Sequence, residues 1–248
     1  MKKFVVVIPA RFASERLPGK PLRMLAGKPM IEHVHARASA SQAREVIIAT
    51  DDQRIAEAAD KFGAKVSITG AHHTSGTERL AEVCEQEGWG DDVRVVNLQG
   101  DEPLMPPSLI DQCAALLDDP AAQLSTLASP LLSDADFQNP NVVKVVCADN
   151  GNALYFSRAA IPFARSASEA GLAQSAALHH HGIYAYRVAV LKNLVAARPS
   201  ALERCERLEQ LRALSLGLTI RVGVPDKRPG PGVDTPEDLA AAEALMRQ

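Results

Sequence analysis

The stretch FVVVI at residues 4–8 decides the fold class of this chain. A short run of apolar, mostly β-branched residues is typical of a strand that is buried on both faces of a parallel sheet. EVIIAT at residues 45–50 and VRVVNLQ at residues 93–99 have the same character. Helical patterns lie between these runs, so the sequence predicts an α/β protein with an open, mostly parallel sheet and helices on both faces.

Helical spacing marks the connections between these strands. The positions that share one face are Met30, Ile31, Val34 and Ala38 in one predicted helix and Leu80, Val83, Cys84 and Glu87 in another. The last predicted helix begins at Thr235, because Thr235, Pro236 and Asp238 suit the N-cap, the first helical position and a capping box.

The pattern changes near residue 125, where strands become more frequent. The predicted elements of this half are strands at 142–147, 153–157, 182–188 and 219–224, a loop at 165–177 and a helical segment at 203–216. We therefore expect a single domain over residues 1–248 with a strand-rich insertion at about 125–190.

Composition narrows the range of partners and compartments. The net charge is −3, which gives no overall field for a long polyanion, so we expect no nucleic-acid partner. The four cysteines are scattered without a CxxC pair, which favours buried free thiols. The apolar run at the start is too short for a signal peptide, and no stretch approaches a membrane span of ~18 apolar residues. We expect a cytoplasmic protein.

A basic loop follows the first strand, with the sequence PARFASERLPGKP at residues 9–21. Arg11, Arg16 and Lys20 place three cations at the carboxyl end of a buried strand, where open parallel sheets bind ligands. Such a loop suits a triphosphate. It is neither a Walker loop, because Pro21 follows Lys20, nor a GxGxxG dinucleotide fingerprint.

Two acidic segments could bind a metal ion. NLQGDEP at residues 97–103 places Asp101 directly after a predicted strand, and GVDTPED at residues 232–238 places Asp234 just before a helix. Magnesium prefers one or two carboxylates together with phosphate oxygens and water. Asp101 and Asp234 would complete such a site if the fold brings them together.

Two further segments have both structural and functional interpretations. Ser75 and Glu78 in SGTER have the spacing of a capping box, but a helix N-terminus also presents N–H groups to an anion or a base edge.

The run His179-His180-His181 cannot bind one metal ion without strain, because neighbouring residues of a strand face opposite sides. We expect a single histidine at the cleft, available to donate a hydrogen bond to an acidic substrate.

These segments together resemble the CMP-Kdo synthetases, the 3-deoxy-manno-octulosonate cytidylyltransferases. The matching stretches occur in the family's order over nearly the whole chain: VVVIPARFASERLPGKPL, HTSGTERLAE, VNLQGDEP, NPNVVKVV, ALYFSRAAIPF, GIYAYR, LEQLR and GVDTPEDL. The resemblance implies a nucleotidyltransferase-type sheet with a strand-rich dimerisation arm. It also implies a homodimer that forms CMP-Kdo and pyrophosphate from CTP and Kdo for lipopolysaccharide assembly.

The resemblance also implies roles for particular residues. Nucleotide binding falls to Ala10, Arg11, Lys20, Ser75 and Arg79, with Arg11, Lys20 and Asp101 catalytic and with Asp101 and Asp234 binding Mg²⁺. The sugar-acid pocket would comprise Arg16, Gln99, Arg158, Arg165, His180, Tyr184, Glu209 and Gln210. His180 is chosen by register, with His179 and His181 as the alternatives.

Other functions remain open at the level of sequence. The same chemistry could serve sialic acid or an amino-substituted Kdo. A nucleotide-binding regulator without catalysis is disfavoured because both candidate metal carboxylates are present. A nicotinamide-dependent oxidoreductase is disfavoured because GxGxxG is missing.

Overall fold

The apolar runs form neighbouring strands in the computed structural model, which describes residues 4–13, 16–73 and 75–247. The strands are β1 Phe4–Ala10, β2 Met24–Leu25, β3 Lys28–Pro29, β4 Glu45–Thr50, β5 Lys65–Ile68, β6 Arg94–Asn97, β7 Leu124–Pro130, β8 Lys144–Cys147, β9 Ala153–Ser157, β10 Ala177–Arg187 and β11 Ile220–Gly223. The α-helices are α1 Met30–Ser39, α2 Gln53–Lys61, α3 Gly76–Gln86, α4 Pro107–Ala115, α5 Asp134–Gln138, α6 Ala170–Ala176, α7 Val188–Ala196, α8 Ala201–Glu206, α9 Gln210–Ser215 and α10 Pro236–Met246. Short 3₁₀ turns occur at Lys20–Leu22, Leu116–Asp118 and Ala167–Glu169.

The main sheet has the strand order β11-β7-β10-β6-β1-β4-β5. β1 pairs in parallel with β4 and β6, β4 pairs in parallel with β5, and β7 pairs in parallel with β11. β10 runs antiparallel between β6 and β7, and the first part of β10 also pairs with β8 of the β8–β9 hairpin. The prediction of an open, mostly parallel α/β sheet is therefore confirmed.

Alternation along β1 gives the sheet two apolar faces. Val5 and Val7 pack with α3, α7 and α9, whereas Phe4, Val6 and Ile8 pack with α1, α2 and α4. These five side chains of β1 are fully buried. Burial of each such side chain stabilises the fold by roughly 1.5–3 kcal/mol. Helices on both faces follow from this two-sided burial.

The predicted helix faces and caps are confirmed. α1 buries Met30, Ile31, Val34 and Ala38, and α3 buries Leu80, Val83 and Cys84 before it ends at Glu87. At the start of α10, Thr235 accepts a hydrogen bond from Asp238 in a capping box. All four cysteines are free thiols, but only Cys84 and Cys113 are buried as expected, because Cys147 is half-buried and Cys205 is exposed. Within the described part of the chain, we find no helix with the length and apolarity needed to span a bilayer.

Three predictions of local structure need correction. The segment at 165–177 is largely helical, since Ser166 and Glu169 form a capping box and lead into the alanine-rich α6. The helical segment at 203–216 divides into α8 and α9 at Arg207, whose φ is 53°. The strand predicted at 182–188 begins at Ala177, because a β-bulge allows pairing to continue through the histidine run.

Candidate active site

Two adjoining cavities open at the carboxyl ends of β1 and β6. The first, here called the loop cavity, has a volume of about 740 Å³ and is lined by the loop after β1, the start of α3, the loop after β6 and Asp234. The second, here called the sheet cavity, has a volume of about 490 Å³ and is lined by β10, Arg158 and the α8–α9 turn. Gly76, Gln99 and Glu209 line both cavities, so the two spaces share a wall.

Lys20 lies between the two carboxylates that the sequence proposes as metal ligands. Its Nζ donates to Oδ2 of Asp101 at 2.6 Å and to Oδ1 of Asp234 at 2.8 Å. Burial opposes the charge on Lys20, but the two carboxylates outweigh it and hold the pKa of Lys20 above its usual value. Partial burial likewise opposes charge on Asp234, but Lys20 and Arg16 hold the pKa of Asp234 below its usual value. Both carboxylates therefore face the ammonium group of Lys20.

Two glycines allow the loops of this site to approach one another. Gly19 precedes Lys20 with a φ of 66°, a conformation that L-residues rarely adopt. A Cβ at Gly100 would lie 2.9 Å from the main-chain oxygen of Pro9, so the loop after β6 passes close to the end of β1. The main-chain N–H of Val233 donates to the oxygen of Asp101 at 2.9 Å, which ties Asp234 to the same place.

The donor set suits a divalent cation. Asp101 and Asp234 already share one cation, and Mg²⁺ uses one or two carboxylates with the remaining positions filled by phosphate oxygens and water. Among the described residues, no group of three or more histidine, cysteine or acidic side chains is arranged to bind a metal ion. A metal at this point would therefore depend on the substrate for part of its coordination.

The start of α3 supplies another wall of the loop cavity. Ser75 is the N-cap of α3, and its Oγ accepts from the main-chain N–H of Glu78 at 3.2 Å. Arg79 is buried, with Nη2 3.3 Å from Oδ2 of Asp51 and with a hydrogen bond from Nη1 to Thr69. These contacts connect α3 to the loops after β4 and β5. Ser14, Glu15 and Thr74, which belong to the predicted motifs, lie outside the described residues.

The histidine run does not follow simple alternation. Both His180 and His181 line the sheet cavity, so the expectation of a single histidine there was wrong. The reason is the β-bulge after His180, where Gly182 adopts a φ of 70°. His180 Nε2 lies 3.0 Å from Oγ1 of Thr126. Burial lowers the pKa of His180 and of His181 to about 3, so both are neutral at physiological pH.

Two buried polar atoms in the wall of the sheet cavity have no hydrogen-bond partner among the described residues. They are Oη of Tyr184 and Nε2 of Gln210. Burial raises the pKa of Tyr184 well above its usual range, so its hydroxyl remains a donor. Because buried polar groups are normally paired, these two residues of the cavity wall are candidates for contact with a polar ligand.

Most of the sequence-predicted site residues meet at these cavities. The loop cavity is lined by Ala10, Arg11, Arg16, Lys20, Ser75, Arg79, Gln99, Asp101, Glu209 and Asp234. The sheet cavity is lined by Gln99, Arg158, His180, Tyr184, Glu209 and Gln210. Arg16, expected in the sugar-acid pocket, lies instead in the loop cavity, where its Nη2 is 2.9 Å from Asp234. Arg165 is exposed and lines neither cavity.

Sequence reasoning missed several residues of the cavity walls. They are His73, Gly76 and Thr77 near α3, Asn97 at the end of β6, and His181, Tyr186, Arg207 and Arg212 beside the sheet cavity. Asn97 and Tyr186 belong to quoted motifs, so their positions at a strand end and on the neighbouring strand could have revealed them. Arg212 carries no such signal, because its position depends on the fold of the α8–α9 segment.

Comparisons with known proteins agree on one family. The cytidylyltransferase family matches residues 5–220. A 3-deoxy-manno-octulosonate cytidylyltransferase of Thioalkalivibrio sulfidiphilus is 53% identical over 98% of this chain and 99% of its own length. One from Vibrio vulnificus is 51% identical over 98% of each chain.

Solved structures give the same result for the fold. A CMP:2-keto-3-deoxy-manno-octonic acid synthetase complexed with CTP superimposes with a TM-score of 0.91 at 44% identity, covering 100% of this chain and 99% of its own. A cytidylyltransferase from Leptospira borgpetersenii, at 17% identity and a TM-score of 0.64, covers 99% of this chain and 87% of its own and shares the fold alone.

Proposed function

This chain belongs to the cytidylyltransferase family, and from that membership we propose that it transfers CMP from CTP to 3-deoxy-manno-octulosonate (Kdo) and releases pyrophosphate. CMP-Kdo made in this way would serve lipopolysaccharide biosynthesis. The observation that carries the proposal is the junction of the two cavities, because a transfer reaction needs its two substrates side by side. We assign CTP to the loop cavity and Kdo to the sheet cavity.

The charges of the loop cavity support a triphosphate. Arg11 and Lys20 line it from the loop after β1, and Ser75 contributes the start of α3, where free N–H groups favour an anion or a base edge. In this assignment Arg11 and Lys20 bind phosphates. Ala10, Ser75 and Arg79 surround the cytidine.

The sheet cavity supports a polyhydroxylated acid. Arg158 supplies a cation for a carboxylate, and Tyr184 and Gln210 add polar side chains for hydroxyl groups. His180 and His181 are neutral there, so each can exchange hydrogen bonds with the sugar without adding charge. Gln99 and Glu209 line both cavities. In this assignment they therefore lie beside the reacting groups.

The proposed reaction is an in-line displacement. The hydroxyl on the anomeric carbon of Kdo attacks the α-phosphorus of CTP, a new P–O bond forms, the bond to the β-phosphate oxygen breaks, and pyrophosphate leaves. The hydroxyl proton passes to solvent. Attack by a group that stands beside a carboxylate on a polyanion is repulsive, and Arg11 and Lys20 offset that repulsion by binding the phosphates.

Enzymes of this family generally use a divalent metal ion, and we propose Mg²⁺ held by Asp101 and Asp234. Such an ion would neutralise phosphate charge and favour departure of pyrophosphate. Before any metal binds, Lys20 holds the two carboxylates facing the same point.

We further propose a cytoplasmic homodimer. The free cysteines support a reducing compartment. Large apolar side chains are exposed at Leu132, Phe163 and Leu172, which adjoin residues of one small apolar cluster formed by the α5, α6 and β10 region. Exposed apolar surface of this kind favours a protein partner, and a second copy of the chain is the partner proposed.

Pyrophosphate release from purified protein tests the proposed function. CTP and Mg²⁺ are supplied with Kdo, without Kdo, or with sialic acid or an amino-substituted Kdo in its place. We expect release that requires both Kdo and the metal. Release with another sugar acid but not with Kdo would overturn the substrate. No pyrophosphate release with any sugar acid, from protein that still binds CTP, would favour a non-catalytic regulator.

A further inference from the structure

Arg158 is held in a fixed orientation at the wall of the sheet cavity. It follows β9 directly, and its guanidinium donates through Nε to the main-chain oxygen of Glu206 at 2.8 Å and through Nη1 to the oxygen of Pro140 at 3.1 Å. A guanidinium presents its donors as a planar fork, so two carbonyls fix the direction of the remaining edge.

The carboxylate of Glu206 holds the main chain at the same point. Glu206 is the last residue of α8, and its Oε1 accepts from Oγ of Ser157 at 2.6 Å while its Oε2 accepts from the N–H of Arg158 at 2.9 Å. Glu206 therefore contacts Arg158 through both its carboxylate and its main-chain carbonyl. Glu206 itself lines neither cavity.

Lys144 holds the other side of the same residue. Lys144 lies on β8 and is fully buried, and its Nζ donates to the oxygen of Arg158 at 2.7 Å and to that of Asn139 at 2.8 Å. Burial lowers the pKa of Lys144, although the charge of Glu206 opposes this effect. Burying an ammonium group is costly, and here two hydrogen bonds to main-chain oxygens offset part of that cost and fix the position of Arg158.

These contacts join two parts of the wall of the sheet cavity. The turn after Glu206 carries Glu209 and Gln210, while Arg158 lies at the end of β9. We propose that Glu206 and Lys144 are positioning residues that fix the main chain at Arg158, so that its guanidinium is aimed at the carboxylate of the acidic sugar. The inference rests on the proposed function, since it assumes that the sheet cavity binds that acid.

Kinetics of Glu206→Ala test this role. Loss of the charge-assisted hydrogen bonds to Ser157 and to the main-chain N–H of Arg158 predicts a rise in the KM for Kdo of ~10- to 100-fold, with the KM for CTP within about 3-fold of normal. Glu206→Gln should restore most of the loss, because an amide oxygen can accept from the Arg158 N–H while its NH₂ donates to Ser157. Glu85→Ala, which removes an exposed glutamate from the last turn of α3, is the matched control and should change neither KM.

A double-mutant cycle separates positioning from general loss of structure. If Glu206 acts through Arg158, the double variant Glu206→Ala, Arg158→Ala should have the same KM for Kdo as Arg158→Ala alone. Additive losses, an equal rise in the KM for CTP, or a normal KM in Glu206→Ala would each overturn the inference. Should Glu206→Ala fail to fold, Glu206→Asp and Lys144→Met are measured in the same way, and a normal KM for Kdo in both would overturn it. Wild-type protein that is inactive with CTP and Kdo would instead overturn the proposed function.

Discussion

At the scale of single residues, the central feature is a lysine that holds two carboxylates together. Asp101 and Asp234 would repel one another if left unpaired, but Lys20 lies between them and contacts both. This arrangement holds both carboxylates at one point, and in the proposed reaction Lys20 would move from that point to the phosphates as the metal ion takes its place.

Replacement of Asp101 should remove much of the catalytic power. We expect Asp101→Ala to lower kcat by ~100-fold or more at saturating CTP, Kdo and Mg²⁺, because one electrostatic stabiliser of a charged transition state is lost. The measurement is steady-state pyrophosphate release with the metal concentration varied.

The matched control is Asp92→Ala, which removes an exposed aspartate just before β6, at the opposite end of the strand from Asp101. It should leave kcat unchanged. Turnover near normal in Asp101→Ala would exclude Asp101 from the proposed metal site.

Part of this site could be predicted from the sequence, because open parallel sheets bind ligands at the carboxyl ends of their strands. Arg11 and Asp101 follow neighbouring parallel strands, so their proximity follows from the pairing of β1 with β6. The contact of Lys20 with Asp234 could not be predicted in the same way, because 214 residues separate them and no periodic pattern records their approach.

At the scale of elements, the sequence predicted correctly the features that depend only on residues close together in the chain. The apolar face of α1 and the cap of α10 depend on nearby residues and were predicted correctly. The division between α8 and α9 was missed. It occurs at Arg207, which adopts the left-handed conformation that usually requires glycine, so the sequence carries no glycine to mark the end of the helix. Ser166 and Glu169 carried a capping signal, but α6 buries little beyond Ala173 and so shows no apolar period.

The buried pair Glu203 and Arg212 stabilises the α8–α9 segment. Nε and Nη2 of Arg212 donate to the two carboxylate oxygens of Glu203 at 2.8 and 2.5 Å, and Nη1 donates to the oxygen of Leu194. Arg212→Met should lower the free energy of unfolding by about 3 kcal/mol, because it leaves a buried carboxylate unpaired. Urea denaturation followed by circular dichroism measures the change.

An exposed ion pair provides the comparison for this prediction. Arg247→Met removes a guanidinium that lies 2.7 Å from Glu243 on the surface of α10, and it should cost less than about 1 kcal/mol. Equal effects of the two substitutions would contradict a stabilising role for the buried pair. The double variant Glu203→Leu, Arg212→Met should be more stable than Arg212→Met alone, since no unpaired charge remains.

At the scale of the whole molecule, the most exposed large apolar side chains of the described residues lie in one region, beside the small apolar cluster around Phe137. Phe163 is 89% exposed and Leu132 is 74% exposed, although residues beside them in sequence pack into the small cluster around Phe137. Apolar side chains at the margin of a cluster gain stability when a partner covers them. The same region supplies Arg158 to the sheet cavity, so a partner here would also stabilise one wall of the proposed sugar-acid site.

Association of two chains should therefore depend on this surface. We expect light scattering of the wild-type protein at micromolar concentration to give about twice the mass of one chain, and Phe163→Glu to give the mass of one chain, because a buried charge at the contact is costly. Leu245→Glu, at an exposed leucine of α10, is the control and should not change the mass. A wild-type mass equal to one chain would exclude the homodimer, and a dimer that survives Phe163→Glu would place its interface elsewhere.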